Sequence, residues 1–195
     1  MTSRGARSID PDDSVLVVID VQPEFVDKLD DGVADRVVGR IGWLVQLAAE
    51  LQIPILATEE RPNENGTTVE AVARWLPPDV RPHEKPIFGL AACPPIMADL
   101  ERHGRGTAVL VGLETDVCVA QSALGLLDGS WTVVVVSDAV GCPGEAHEQG
   151  LTRMRDAGAT LSGMKGIAYE WIRTVEGVDR ISHELWRSAP PGTGL

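Results

Sequence analysis

The feature that most constrains this chain is an alternation between two hydrophobic periods. "SVLVVID" (14–20) is a continuous apolar run, rich in β-branched residues, that ends in a charge. That is the pattern of a strand buried on both faces. Val33, Val37, Ile41, Leu44, Ala48 and Leu51 then recur every three or four residues, as in a helix lying on a sheet. The alternation repeats. "IPILATE" (53–59) reads as a strand, followed by a polar loop around "RPNENG" (61–66) and a short helical pattern near 67–76. "PIMADLERHG" (95–104) reads as a helix stopped by glycine, "TAVLVG" (107–112) as a strand and 116–129 as a helix. "WTVVVVSDA" (131–139) reads as a strand, 145–158 as a helix, 159–163 as a short last strand and 167–175 as a helix. Such a series predicts the α/β class: three α/β/α layers around a central, mostly parallel, Rossmann-like sheet with right-handed crossovers. With 195 residues, no internal repeat and no linker rich in Gly, Ser or Pro, the chain reads as one domain over 1–195. Its expected core is 13–175, with loose ends at 1–12 and in "SAPPGTGL".

Composition removes several classes of partner. A formal net charge of −12 repels a phosphate-coated surface, so no nucleic acid is expected. The apolar runs are strand-length, and the polar N-terminus has no apolar stretch of signal-peptide type, so neither a membrane nor secretion is expected. Three cysteines, an odd number, do not form a disulfide framework, and a cytoplasmic location is the natural expectation. His83, His103, His147 and His183 show no paired metal-ligand spacing. "GRGTAVLVG" precedes its strand rather than following one, so it is not a dinucleotide fingerprint, and there is no P-loop. No metal and no cofactor are expected.

In parallel α/β sheets, ligands bind outside the carboxyl ends of the strands. Asp20 ends the first strand, Glu59 and Glu60 follow the second, "GLETDVC" follows "TAVLVG", and Asp138 ends "TVVVVSD". Polar residues therefore converge on one rim. Cys118 falls in the first turn of a helix that starts near Thr115 or Asp116, either of which could serve as its N-cap. Free N–H groups and the positive end of the helix dipole favour a thiolate there and could hold an oxyanion. The competing reading is a small residue buried at a tight helix–strand contact. Asp20 is either a general base or a cap for a neighbouring helix. Lys85, held extended by Pro86, either turns inward beside them or stays solvated like most lysines. Cys93 and Cys142 read as structural, and the scattered tryptophans as core or interface.

With these residues in view, the sequence resembles the isochorismatase-like cysteine hydrolases over roughly residues 13–175. The pieces that carry the resemblance are "LVVIDVQPEFVD", "EKPIFGL", "VLVGLETDVCVAQSALGLL" and "VVVVSDAVG", with Asp, Lys and Cys in that order. The resemblance implies a small-molecule substrate and catalysis by Asp20, Lys85 and Cys118. Asp20 would deprotonate Cys118, Lys85 would lower the thiol pKa and orient Asp20, and the thiolate would form an acyl-enzyme that water releases. It also implies a non-proline cis peptide joining Leu113 and Glu114, with the N–H groups of Glu114 and Cys118 facing an oxyanion. Gln22, Phe25, Glu60, Phe88 and Thr115 are the expected pocket residues, with walls from 59–68 and 86–95. Family members are commonly dimers or larger, so a homo-oligomer, dimer or tetramer, is expected.

The departures narrow the reading. "ATEERPNENGTTV" contains no histidine, unlike the metal-binding stretch of nicotinamidases, and is similar to a metal-free branch. Even there Glu60 replaces the usual Gln, and Gly89 stands where Ser often follows the Phe. True isochorismatases act on a vinyl ether and usually lack the cysteine. The expected function is cleavage of a small amide or related C–N bond. The alternatives are an ether or ester hydrolase, or an inactive binding or scaffold protein on the same fold.

Overall fold

The computed structural model describes residues 8–194. Six strands form one sheet: β1 (Ser14–Ile19), β2 (Ile55–Glu60), β3 (His83–Lys85), β4 (Thr107–Leu113), β5 (Thr132–Gly141) and β6 (Thr160–Ser162). Their order is β3-β2-β1-β4-β5-β6, and every pairing is parallel. The expected α/β sandwich is therefore present, and its sheet is wholly parallel. The order reverses between β1 and β4, which puts the crevice for a ligand at their carboxyl ends.

The helices are α1 (Pro23–Val26), α2 (Asp31–Glu50), α3 (Pro62–Asn65), α4 (Glu70–Ala73), α5 (Pro94–Arg102), α6 (Ala120–Asp128), α7 (Ala146–Asp156), α8 (Met164–Ile172), α9 (Val175–Arg180) and α10 (His183–Arg187). Side chains alternate across the sheet with period two. Leu16 and Val18 of β1 join one core with α2 and α8, whereas Val15, Val17 and Ile19 join the other with α5, α6 and α7. All five are at most 1 % exposed, which is why this strand reads as an unbroken apolar run. Each such side chain contributes ~1.5–3 kcal/mol by leaving water.

Three expectations change. β3 reads in the sequence only as extended chain around Lys85, because three residues, all of them polar or charged, carry no apolar pattern. The helix expected over 67–76 shrinks to the single turn α4. The packed chain also runs past residue 175: Ile181 and Leu185 are buried, and Trp43 Nε1 donates to the Leu185 carbonyl at 2.9 Å. The expectation of a loose N-terminus falls, for residues 1–7, outside the described residues.

Two glycines set the geometry of the rim. Gly112, at φ +128°, sits where a Cβ would lie 2.0 Å from the Ile19 carbonyl oxygen, so only glycine lets the ends of β4 and β1 come this close. A Cβ on Gly150 of α7 would lie 2.9 Å from Cα of Asp116, so glycine lets α7 press against the turn that carries Cys118.

Candidate active site

Asp20 follows β1 directly and has φ +49°, a left-handed conformation that Asp tolerates better than most residues. Its N–H donates to the Thr58 carbonyl at 3.1 Å, so the turned residue stays tied to β2. Both carboxylate oxygens are held: Thr58 Oγ1 donates to Oδ1 at 2.7 Å, and Lys85 Nζ lies 2.5 Å from Oδ2. Lys85 pairs in register with Glu60, one strand away from Asp20, and its side chain spans β2 to reach it. Nζ also donates to the Ile87 carbonyl at 3.2 Å. Asp20 and Lys85 are both fully buried.

Burial pushes the Asp20 carboxyl above its ordinary value, against the lowering effects of Lys85, Thr58 and Cys118. A carboxylate in this position is a stronger base than one in water.

The peptide between Leu113 and Glu114 is cis, as the resemblance implied. The chain then enters a π-helical turn, Thr115–Val119, before α6. This corrects the expected N-cap. Glu114 occupies the cap position with its backbone, its carbonyl accepting from the N–H groups of Val117 (3.2 Å) and Val119 (3.1 Å). Thr115 and Asp116 already lie inside the turn, and Thr115 Oγ1 is 3.0 Å from His147 Nδ1 of α7. π-turns recur at functional sites.

Cys118 lies in this turn and is 3 % exposed. Its Sγ donates to Glu60 Oε2 at 3.2 Å, and donor atoms of Asp20, Glu60 and Cys118 all lie within 4.8 Å of one another. The surroundings of the sulfur work against the thiolate expected at a helix mouth. Burial and the adjacent Asp20 carboxylate push the thiol pKa up, and Lys85 opposes them only in part. The reason is local: the ammonium is already engaged by Asp20, and a second carboxylate, Glu60, takes the thiol hydrogen. The same ammonium disfavours a cation on these three donors, since it would add a further positive charge beside Asp20.

The expected pocket residues divide sharply. Glu60 is brought to the sulfur. Gln22 is instead a buried clamp: its Nε2 donates to the carbonyls of Glu60 (2.9 Å) and Gly66 (2.5 Å), and its Oε1 accepts from the Glu60 N–H (2.7 Å). Phe25 is buried in the core on the α2 side, with Lys28 Nζ 4.8 Å from its ring centroid. Phe88 is 49 % exposed and lines an open cleft with Ala91, Gln121 and Gly125. Thr115 is fully buried beside His147.

Sequence reasoning missed Thr58, the second group that holds Asp20. Strand period offered a signal, since Leu56, Thr58 and Glu60 share one face of β2. It also missed Thr68, whose N–H (2.6 Å) and hydroxyl (2.8 Å) both donate to Glu59 Oε1 on the opposite face.

The model of the Isochorismatase domain matches residues 14–165. The chain belongs to the isochorismatase-domain family. Among its relatives, the secreted isochorismatase effector Isc1 of Phytophthora sojae is 32 % identical over 181 residues, covering 87 % of this chain and 81 % of that protein. Isochorismatase domain-containing protein 2 of Rattus norvegicus is 31 % identical over 167 residues, covering 84 % and 75 %. The fold is shared with the YcaC gene product of Escherichia coli, described as an octameric hydrolase of unknown specificity. The two superpose with a TM-score of 0.87 at 23 % identity, over 97 % of this chain and 94 % of that one. The fold is also shared with a protein of Pseudomonas syringae described as a cysteine hydrolase, with a TM-score of 0.71 at 15 % identity over 85 % of this chain and 95 % of that one. Among the described residues, no helix is long and apolar enough to cross a membrane.

Proposed function

We propose that this protein is a metal-independent cysteine hydrolase that cleaves a small-molecule amide or related C–N bond through an acyl-enzyme on Cys118. The observation that carries this reading is the convergence of a buried base, its buried counter-ion and a thiol on one rim, beside the cis peptide. Asp20 takes the thiol proton as Sγ attacks the carbonyl carbon. Its raised pKa suits that transfer, because the thiol keeps its proton until substrate arrives. Lys85 holds Asp20 in place and steadies its charge. The N–H groups of Glu114 and Cys118 receive the oxyanion. Collapse of the tetrahedral adduct expels the amine, which carries away the proton held by Asp20. Water, deprotonated by Asp20, then cleaves the thioester to release the acid and the free thiol.

The test is a screen over small amides, ureides and esters, with Cys118→Ala as control and intact mass to trap the acyl-enzyme. A covalent adduct of acyl mass on the wild type, absent from Cys118→Ala, supports the reading. Turnover that survives Cys118→Ala refutes it. An adduct at Cys118 would also exclude the ether-hydrolase alternative, which requires no acyl thioester. As pH falls, kcat/KM is expected to drop as it passes through the raised Asp20 pKa, leaving the base protonated. A homo-oligomer belongs to the same reading: Ile87 (39 %) and Phe88 (49 %) present exposed apolar surface, and the YcaC gene product is described as octameric.

A further inference from the structure

The surroundings of the sulfur are uneven. On one side Asp20, Lys85 and Thr58 are at most 1 % exposed and seal it from solvent. The sulfur's other carboxylate neighbour, Glu60, is only partly buried, as is Glu114 at the start of the turn that carries the sulfur. Both of these less buried groups are acidic. Glu60 places Oε2 at 3.2 Å from Sγ. Glu114 lies close enough to Glu60, Asp116 and Glu24 for their charges to act on it, and its nearest cation, Lys28, is 3.8 Å away. The Lys28 side chain is itself 40 % exposed. The one buried ammonium of the site, Lys85, is already engaged by Asp20.

We infer that Glu60 determines substrate specificity, selecting molecules whose reacting carbonyl carries N–H donors and rejecting those with a carboxylate next to the reacting carbon. The inference rests on the cysteine-hydrolase reading and names the substrate class of that site. A carboxylate side chain is an acceptor with no hydrogen to give. The N–H of a carboxamide, ureide or amidine gains a partner when it replaces the thiol hydrogen at Oε2. A substrate carboxylate arriving there meets a like charge at close range with no donor between them, a repulsive element of the kind that sets specificity. A glutamine at this position could present either its oxygen or its NH2, and so would discriminate less.

Two reagents of the same size separate these cases without a known substrate. Iodoacetamide presents a carboxamide beside the reacting carbon, and iodoacetate a carboxylate. Alkylation of Cys118 is followed by peptide mapping, which sets aside Cys93 and Cys142. The ratio of the two rates cancels any change in thiol nucleophilicity that a variant brings. In the wild type the iodoacetamide-to-iodoacetate ratio should exceed that of glutathione by about 10-fold or more, the scale of one like-charge contact near a protein surface. Glu60→Gln should lower it by a similar factor, and Glu60→Asp, which keeps the charge, should retain most of it. The fold should survive either change, because Gln22 grips the backbone of Glu60 rather than its side chain. A wild-type ratio equal to that of glutathione, or a ratio unmoved by Glu60→Gln, overturns the inference. Turnover that survives Cys118→Ala counts only against the hydrolase reading, so the two failures are distinguishable.

Discussion

Two apolar runs of this sheet, in β1 and β5, lead into an aspartate with a cation beside it, yet the two aspartates have different surroundings. Asp20, after β1, pairs with Lys85, and both side chains are fully buried. Asp138, inside the long strand β5, pairs with Arg40 at 3.2 Å, with the two side chains 34 % and 11 % exposed. The Asp138 carboxylate is taken up by structure: its Oδ1 accepts from the N–H of Met164 at 2.7 Å and so caps α8. Asp20 caps no helix. Its remaining neighbour is the thiol of Cys118, and burial raises its pKa. An aspartate that is dry, held by side chains and faced by a thiol has the surroundings that the proposed function asks of a base. Wetter, and facing a helix N-terminus, the same motif is scaffolding.

The largest expected difference between the two regions is in turnover. Cys118→Ala should remove it by a factor on the order of 10⁴ or more, as loss of a nucleophile does, measured on whichever substrate the amide screen yields. Removing each cation comes next. Lys85→Met strands a carboxylate that is fully buried and should cost about 3–5 kcal/mol in urea unfolding. Arg40→Met breaks a partly hydrated pair and should cost about 1 kcal/mol or less. Adding Asp20→Asn to Lys85→Met should recover much of the loss, because the orphaned charge is gone. Equal costs for Lys85→Met and Arg40→Met would break the distinction between a dry pair and a wet one.

The thiols offer a finer comparison. Burial and Asp20 raise Cys118 above the ordinary 9.0, and burial with Asp116 raises Cys142 to about 11. A raised folded pKa gives stability that is complete below the unfolded pKa and lost as pH climbs towards the folded one. Above pH 9 the unfolded thiol ionises while the native one keeps its proton, so wild type should lose about 1.4 kcal/mol per pH unit relative to Cys118→Ala. Relative to Cys142→Ala the same slope should start at the same pH and flatten near 11. Denaturant curves between pH 8 and 10.5 read both slopes. No slope at Cys118 would mean that burial does not raise the native thiol pKa, and stability that instead rises with pH below 9 would restore the helix-mouth reading of the sequence.

That reversal marks where sequence reasoning stopped. The layered fold was legible because β1, β4 and the Val133–Val136 stretch of β5 are buried on both faces and so read as near-continuous apolar runs. Asp20 and Cys118 were legible because each closes or follows such a run. Lys85 rested on the resemblance, since its strand is only three residues long and its partner lies two strands away across β2. The protonation of Cys118 was not legible, because it depends on charges from β1 and β2 that meet the sulfur only in three dimensions. Gln22 failed as a pocket residue for the opposite reason. A side chain near a motif can face the backbone it supports, and the sequence does not say that its amide is used up by Glu60 and Gly66.

Asp138→Asn should have the smallest effect, and it sharpens the comparison most directly. The Asn oxygen can still accept from the Met164 N–H, so the helix cap survives and only the charge facing Arg40 is lost. Stability should fall by about 1 kcal/mol or less, and the rate of Cys118 alkylation by iodoacetamide should not change. Asp20→Asn makes the same change after β1, and there the alkylation rate should change markedly, because a charge that acts on the thiol and engages Lys85 is gone. If Asp138→Asn changed alkylation as much as Asp20→Asn, the rim would act as one coupled charge network. The division between a reactive strand end and a structural one would then be wrong.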